Sequence, residues 1–185
     1  MSAELLPRLQ RPGSPVLGPA NAPVTLVEVL DPACEACRAF APVVQQIHFL
    51  HPDAVRVVSR FADFHPGSDE AIRILLAAQR QQKFDVVLAA LFDGQEEWAS
   101  HHSPDIGAAW KLAGAAGLDL PRARKDAASA AATQRLNEEA EDLIALVVER
   151  TPTFYVNGKL LTDFGPDKLM QLVAEEVRAA APAAP

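Results

Sequence analysis

Cysteine is nearly absent from this chain: 185 residues carry only two, Cys34 and Cys37. A framework of structural disulfides needs more cysteines spread along the sequence, so that class of stapled fold is excluded. Long apolar runs are missing as well, and none approaches the roughly 20 residues that cross a bilayer as a helix. Basic residues are in deficit, 17 Lys and Arg against 24 Asp and Glu, for a formal net charge of −7. That balance excludes a general nucleic-acid surface. Residues 1–20 also lack the basic start and apolar stretch of a secretory signal; Pro7, Pro12, Gly13, Pro15, Gly18 and Pro19 interrupt them. The expectation is a cytoplasmic protein, or an exported one whose signal lies outside this sequence.

What is present describes a globular protein, 49% hydrophobic and 22% charged. The length suits one domain with a sizeable core, or one domain carrying an insertion. After an irregular lead-in over 1–21, Val24 to Leu30 forms a near-continuous apolar run that suits a buried central strand. Asp31-Pro32 breaks it. From Cys34 to about Phe49 the period turns helical, with Phe40, Val43, Val44, Ile47 and Leu50 on one face. Val55 to Phe61 reads as a second strand, so the order is strand, helix, strand with a parallel pair.

No convincing strand follows until residue 153. Ser68 reads as a helix cap ahead of Asp69 and Glu70, and Phe84, Val87, Leu88 and Leu91 mark a short amphipathic helix. Ser103-Pro104 reads as the start of a helix through Trp110 that ends near Gly114 and Gly117. One long helix is expected from Pro121 to about Val148, with Leu136, Ala140, Leu143 and Val147 on its apolar face. Residues 67–148 therefore read as a helical insertion. Thr153 to Val156 and Lys159 to Thr162 flank Asn157-Gly158, a hairpin signal because both turn positions take positive φ. Gly165-Pro166 then opens a last helix, and 179–185 is a frayed tail.

Cys34-Glu35-Ala36-Cys37 falls where a strand gives way to a helix. A sulfur in the first helical turn meets unpaired N–H groups and the positive end of the dipole, which stabilise a thiolate. The thiolate is the attacking species in disulfide exchange, and a second thiol can resolve the mixed disulfide. Cys34 is the expected nucleophile and Cys37 the resolving cysteine. Metal binding and an incidental pair of core cysteines stay open at this point, although a closed zinc site takes four ligands and His48 and His51 lie far along the same helix.

Further features belong with this motif. Val27-Glu28-Val29 precedes Cys34, Pro42 sits five residues after Cys37, and Thr151-Pro152-Thr153-Phe154 precedes the hairpin. With these, the chain over about 22–178 resembles the thioredoxin superfamily, and within it the DsbA-like thiol:disulfide interchange proteins. The resemblance implies an α/β thioredoxin fold over 22–66 and 149–178 with an inserted all-helical domain over 67–148. It implies that Glu28 lies beneath the resolving cysteine and moves its proton, against the alternative of an exposed edge position. Burial would raise its pKa and suit that work. It also implies a cis Thr151–Pro152 peptide beside the sulfurs, with Thr151 presenting its backbone to an extended substrate. Pro42 has a structural part, a kink in the helix.

Glu35 and Ala36 stand where strong oxidants of this family often carry histidine. A carboxylate there disfavours the thiolate, and Ala36 brings no side-chain donor, so the couple is expected to be less oxidising than the about −120 mV of DsbA. The implied activity is disulfide exchange with cysteines of substrate proteins, as oxidase, reductase or isomerase. It needs no metal or organic cofactor beyond a redox-active Cys34–Cys37 disulfide, and an unidentified redox partner must reset it. A periplasmic or extracytoplasmic monomer is expected. Two alternatives share the fold: a thiol-based copper(I) carrier, and a non-redox chaperone or binding protein. His65, His101, His102, Trp98, Trp110, Phe40 and Phe64 read as turn, loop or core residues.

Overall fold

The structure, a computed structural model, describes residues 4–181. The first three residues of the lead-in and most of the expected tail, 182–185, lie outside the described residues. Fourteen elements follow one another among those described. They are α1 (Leu6–Leu9), β1 (Val16–Leu17), β2 (Val24–Leu30), α2 (Glu35–Leu50), β3 (Val55–Phe61), α3 (Ser68–Arg80) and α4 (Phe84–Asp93). Then come α5 (Gln95–Trp98), α6 (Ile106–Ala115), α7 (Leu120–Ala127), α8 (Ala130–Ala145), β4 (Thr153–Val156), β5 (Lys159–Leu160) and α9 (Pro166–Ala180).

The strands form one sheet in the order β1-β3-β2-β4-β5, which makes β2 central, and every residue of β2 is buried. A strand covered on both faces has no need to alternate, and this is why Val24 to Leu30 reads as one apolar run. Val24 N–H donates to Ala54 at one end and Ala62 N–H to Leu30 at the other, so β2 and β3 advance together and are parallel. The pairs β1–β3, β2–β4 and β4–β5 are antiparallel. The hairpin turns at Asn157 (φ 48°) and Gly158 (φ 78°), as their types require.

The contacts divide the described residues into two compact units: those up to Val29, Ala39–Arg60 and those from Pro152 onward in the first, Leu30–Arg38 and Phe61–Thr151 in the second. The core of the first gathers Leu26, Phe40, Val44, Ile47, Phe154, Val156, Leu169 and Val173. Phe40 touches Phe154 and Phe164 at ring-centroid distances of 5.3 and 4.8 Å. The second unit is helical, and Ile74, Leu75, Val87, Leu91, Trp98 and Ala113 are fully buried within it.

Several local readings are corrected. The lead-in is not irregular: it holds α1 and β1, and the fully buried Arg60 donates to the carbonyls of Arg8 and Leu9. Ser68 does not cap α3. Gly67, at φ 83°, is the capping residue, and the Ser68 hydroxyl turns to Asp31 Oδ1 instead. The cap of α6 is Asp105, whose carboxylate accepts from Ala108 N–H at 2.9 Å, two residues past Ser103. The long helix is two helices, because Ser129 accepts from Ala132 N–H and starts α8 afresh. Its buried face carries Ala132, Glu139, Asp142 and Leu143, while Ala140 is exposed and Val147 lies beyond its end. Leu50, at the last position of α2, is 51% exposed, and β5 ends at Leu160.

Candidate active site

The site begins where β2 stops. Asp31-Pro32-Ala33 leaves the strand, Cys34 stands immediately before the first residue of α2, and the Cys34 carbonyl accepts the helical bond from Arg38 N–H at 3.1 Å. Cys34 is therefore at the capping position, where free backbone donors gather. Cys37 lies one turn further and is fully buried, whereas Cys34 keeps 6% of its surface exposed. Both are free thiols. The accessible sulfur is the one expected to attack and the covered one the one expected to resolve.

The Cys34 thiol is lowered to about 5. The hydrogen bond from Cys37 is the chief cause; burial opposes it; Thr151 and the backbone N–H groups of Cys37 and Ala36 add to the lowering. Thr151 acts on the sulfur in two senses. Its carbonyl accepts from Cys34 Sγ at 3.3 Å, which favours the protonated form, while its side chain favours the thiolate. The net direction is down, because donors to a sulfur anion outnumber the one carbonyl.

The surrounding loop is clamped by residues that sequence reasoning missed. Gln95 Nε2, buried in α5, donates to the carbonyls of Pro32 (2.9 Å) and Cys34 (3.1 Å). Asp31 accepts Ala33 N–H at 2.8 Å, its carbonyl accepts Cys34 N–H at 3.0 Å, and its own N–H donates to Cys37 Sγ at 3.4 Å. From the sequence, Asp31 shows as a strand breaker and as the head of the Asp-Pro-Ala-Cys run. An acid three residues before the first cysteine was the available signal; nothing marks Gln95, sixty-one positions away.

Of the residues singled out in the sequence, the structure brings Cys34, Cys37 and Thr151 together. Glu28 is buried at 5% exposure on central β2, opposite Phe154 in β4, so the edge-position alternative is overturned. Pro152 is buried and leads into β4. Glu35 and Ala36 are exposed, and the Glu35 carboxylate lies 3.7 Å from His101 Nε2, both side chains well in solvent. Pro42 is accommodated inside α2. His65 is more than a turn residue: its Nδ1 lies 2.8 Å from Asp31. Trp98 is core, its Nε1–H satisfied by the Leu91 carbonyl, and Trp110 is core under the guanidinium of Arg124. Phe40 is core and Phe64 is 45% exposed. Among the described residues, no three His, Cys, Asp or Glu side chains gather as a metal-binding set, and no helix is long and apolar enough to cross a membrane.

Comparison with known proteins places this geometry in context. The family model described as thioredoxin matches residues 10–175. A Na(+)/H(+) antiporter, NhaA 1 of Mycolicibacterium gilvum, is 31% identical over 163 residues, covering 82% of this chain and 25% of its own length. The chain thus spans about a quarter of the length of the curated relatives it matches. Among solved structures, a thioredoxin-like oxidoreductase from Silicibacter pomeroyi is 28% identical, with a TM-score of 0.80 over 95% of this chain and 99% of the other. The α-DsbA1 of Wolbachia pipientis, 16% identical, shares the fold with a TM-score of 0.84 over 97% and 98%.

Proposed function

We propose, on the premise that this chain belongs to the thioredoxin family, that it exchanges disulfides with cysteines of other proteins through Cys34 and Cys37. Its fold is the DsbA-like form, a thioredoxin core interrupted by helices. The observation that carries the reading is the thiol of Cys34, held at about 5 at the head of α2 with Cys37 as its donor. At pH 7 such a group is thiolate over thiol by about 100 to 1.

In the reductive sense, the Cys34 thiolate attacks one sulfur of a substrate disulfide and forms a mixed disulfide; the other substrate sulfur leaves as thiolate and takes a proton. Cys37 then loses its proton and attacks Cys34, closing the Cys34–Cys37 disulfide and releasing the second substrate thiol. Two electrons pass from the dithiol to the substrate, and the two substrate thiolates are protonated by the proton Cys37 gives up and one from solvent. The oxidative sense is the reverse, and the potentials of substrate and redox partner set the direction. Glu28, buried in β2, is the proposed acceptor for the Cys37 proton, and Thr151 with Pro152 the substrate-positioning pair. A low-pKa nucleophile favours the dithiol form, and about 5 lies between the thiol values of thioredoxin (about 7) and DsbA (about 3.5). The proposed potential accordingly lies between about −270 and −120 mV. Disulfides made by such a couple persist in an oxidising compartment, which is where we place its work.

Equilibration with reduced and oxidised glutathione tests the reading. The expected outcome is a reversible Cys34–Cys37 couple in that range, a Cys34→Ser variant that exchanges nothing, and a Cys37→Ser variant that accumulates mixed disulfide. In Glu28→Gln the resolving step should slow on the order of tenfold or more. A dithiol that binds copper(I) stoichiometrically yet is not oxidised by glutathione disulfide would replace this function with metal carriage.

A further inference from the structure

Asp31 is fully buried, and a buried carboxylate is costly unless donors surround it. Here donors do. Oδ1 accepts from Ala33 N–H (2.8 Å) and the Ser68 hydroxyl, and Oδ2 accepts from Phe64 N–H (2.8 Å), His65 N–H (3.1 Å) and His65 Nδ1 (2.8 Å). The partners come from three places: the active-site loop, the β3–α3 connection and the first turn of α3. At the same residue the backbone faces the chemistry, its N–H toward Cys37 Sγ and its carbonyl on Cys34 N–H.

We infer that Asp31 is a positioning residue for the dithiol centre: its carboxylate, locked by Ala33, Phe64, His65 and Ser68, fixes the backbone segment that aims Cys37 at Cys34. This rests on the exchange reading and adds a residue to it. The carboxylate does not touch the reacting sulfurs, so its influence passes through the loop. Among the described residues, His65 is the other ionisable side chain within hydrogen-bonding reach of the Asp31 carboxylate.

The sign of the effect separates positioning from plain charge. As a nearby anion, Asp31 opposes a thiolate, so removing its charge would ease Cys34 ionisation. As an aligner, it sustains the Cys37 hydrogen bond that chiefly stabilises that thiolate, so removing it would hinder ionisation. Asp31→Asn is the informative change. Its amide nitrogen would confront the donors of Phe64 or His65, where a carboxylate accepts from all of them.

The measurement is the thiolate absorbance of the reduced protein against pH, with circular dichroism as the check on folding. In Asp31→Asn the midpoint should move up, cutting the thiolate fraction at pH 5 by about threefold or more. His65→Ala should shift it the same way by less, and His65→Asn, which returns a donor near the Nδ1 position, should restore it. A folded Asp31→Asn whose midpoint is unchanged or lower overturns the inference. Should Asp31→Asn fail to fold, the His65 pair decides, and identical titrations in wild type, His65→Ala and His65→Asn overturn it. Failure of the wild-type protein to equilibrate with glutathione would instead sink the exchange reading, and the two failures are distinguishable.

Discussion

At the scale of single residues, the chemistry rests on which sulfur is anionic. Cys34 owes its thiolate chiefly to its neighbour's thiol, with the Thr151 side chain and backbone donors at a helix start adding to it. Glu35 is turned to solvent near His101 and does not figure among the causes of the shift, while Ala36 helps through its N–H. Alkylation by iodoacetamide should therefore rise through a midpoint near pH 5, well below the pH at which an ordinary thiol titrates. Thr151→Ala keeps the carbonyl that accepts from Cys34 and removes the side chain that favours the anion. Its midpoint should move up, with alkylation at pH 5 slowed accordingly. An unchanged or lowered midpoint would show that the side chain does not reach the sulfur's ionisation.

At the scale of elements, the end of α8 shows how local rules and tertiary demands conflict. Leu146 N–H bonds Asp142, Val147 N–H bonds Ile144, and Val148 N–H returns to Leu143, a pattern that calls for a left-handed residue at 147. Glycine is usual there, yet the chain places valine at φ 55° with 74% of it exposed. A β-branched residue costs on the order of 1–2 kcal/mol in this conformation. Val147→Gly should raise the melting temperature, a gain of about 1 kcal/mol after the entropy of the unfolded glycine is charged against it. A fall would mean the valine makes contacts that outweigh its strain. The same valine explains a misreading: its spacing from Leu143 matches a helical face, so the periodicity carries the helix past its true end. Where composition and burial agree, as in β2 and in the Asn157-Gly158 turn, the elements are legible from sequence. Where a polar side chain has two uses, they are not. Ser68 looks like a cap in a string of letters, and only its distant partner Asp31 decides otherwise; Ser129 caps α8 through Ala132 N–H three residues on, yet the apolar period runs across it.

At the scale of the whole molecule, the site was half legible for the same reason. The motif Cys34-x-x-Cys37 and distant Thr151 can be read from the chain because each carries a local signature. Asp31, Gln95, His65 and Ser68 act through partners as many as 63 residues away, which no local pattern records. Those partners group Leu30–Arg38 with Phe61–Thr151, so the helices that interrupt the fold also hold the reactive loop. Redox state and stability are then linked through one proton. In the unfolded reduced chain Cys34 titrates near 9.0, and in the folded one near 5. Between those values the folded dithiol binds fewer protons than the unfolded chain, so its stability rises with pH. The contribution is complete above about 9 and is lost as pH falls through about 5. The disulfide form has no thiol to titrate at Cys34. Melting temperatures of the reduced protein, measured from pH 5 to 8 against the oxidised protein at each pH, should climb relative to it, and Cys34→Ser should abolish the climb. A flat difference would mean that Cys34 ionises alike in folded and unfolded chains, and that the head of α2 does not hold the thiolate.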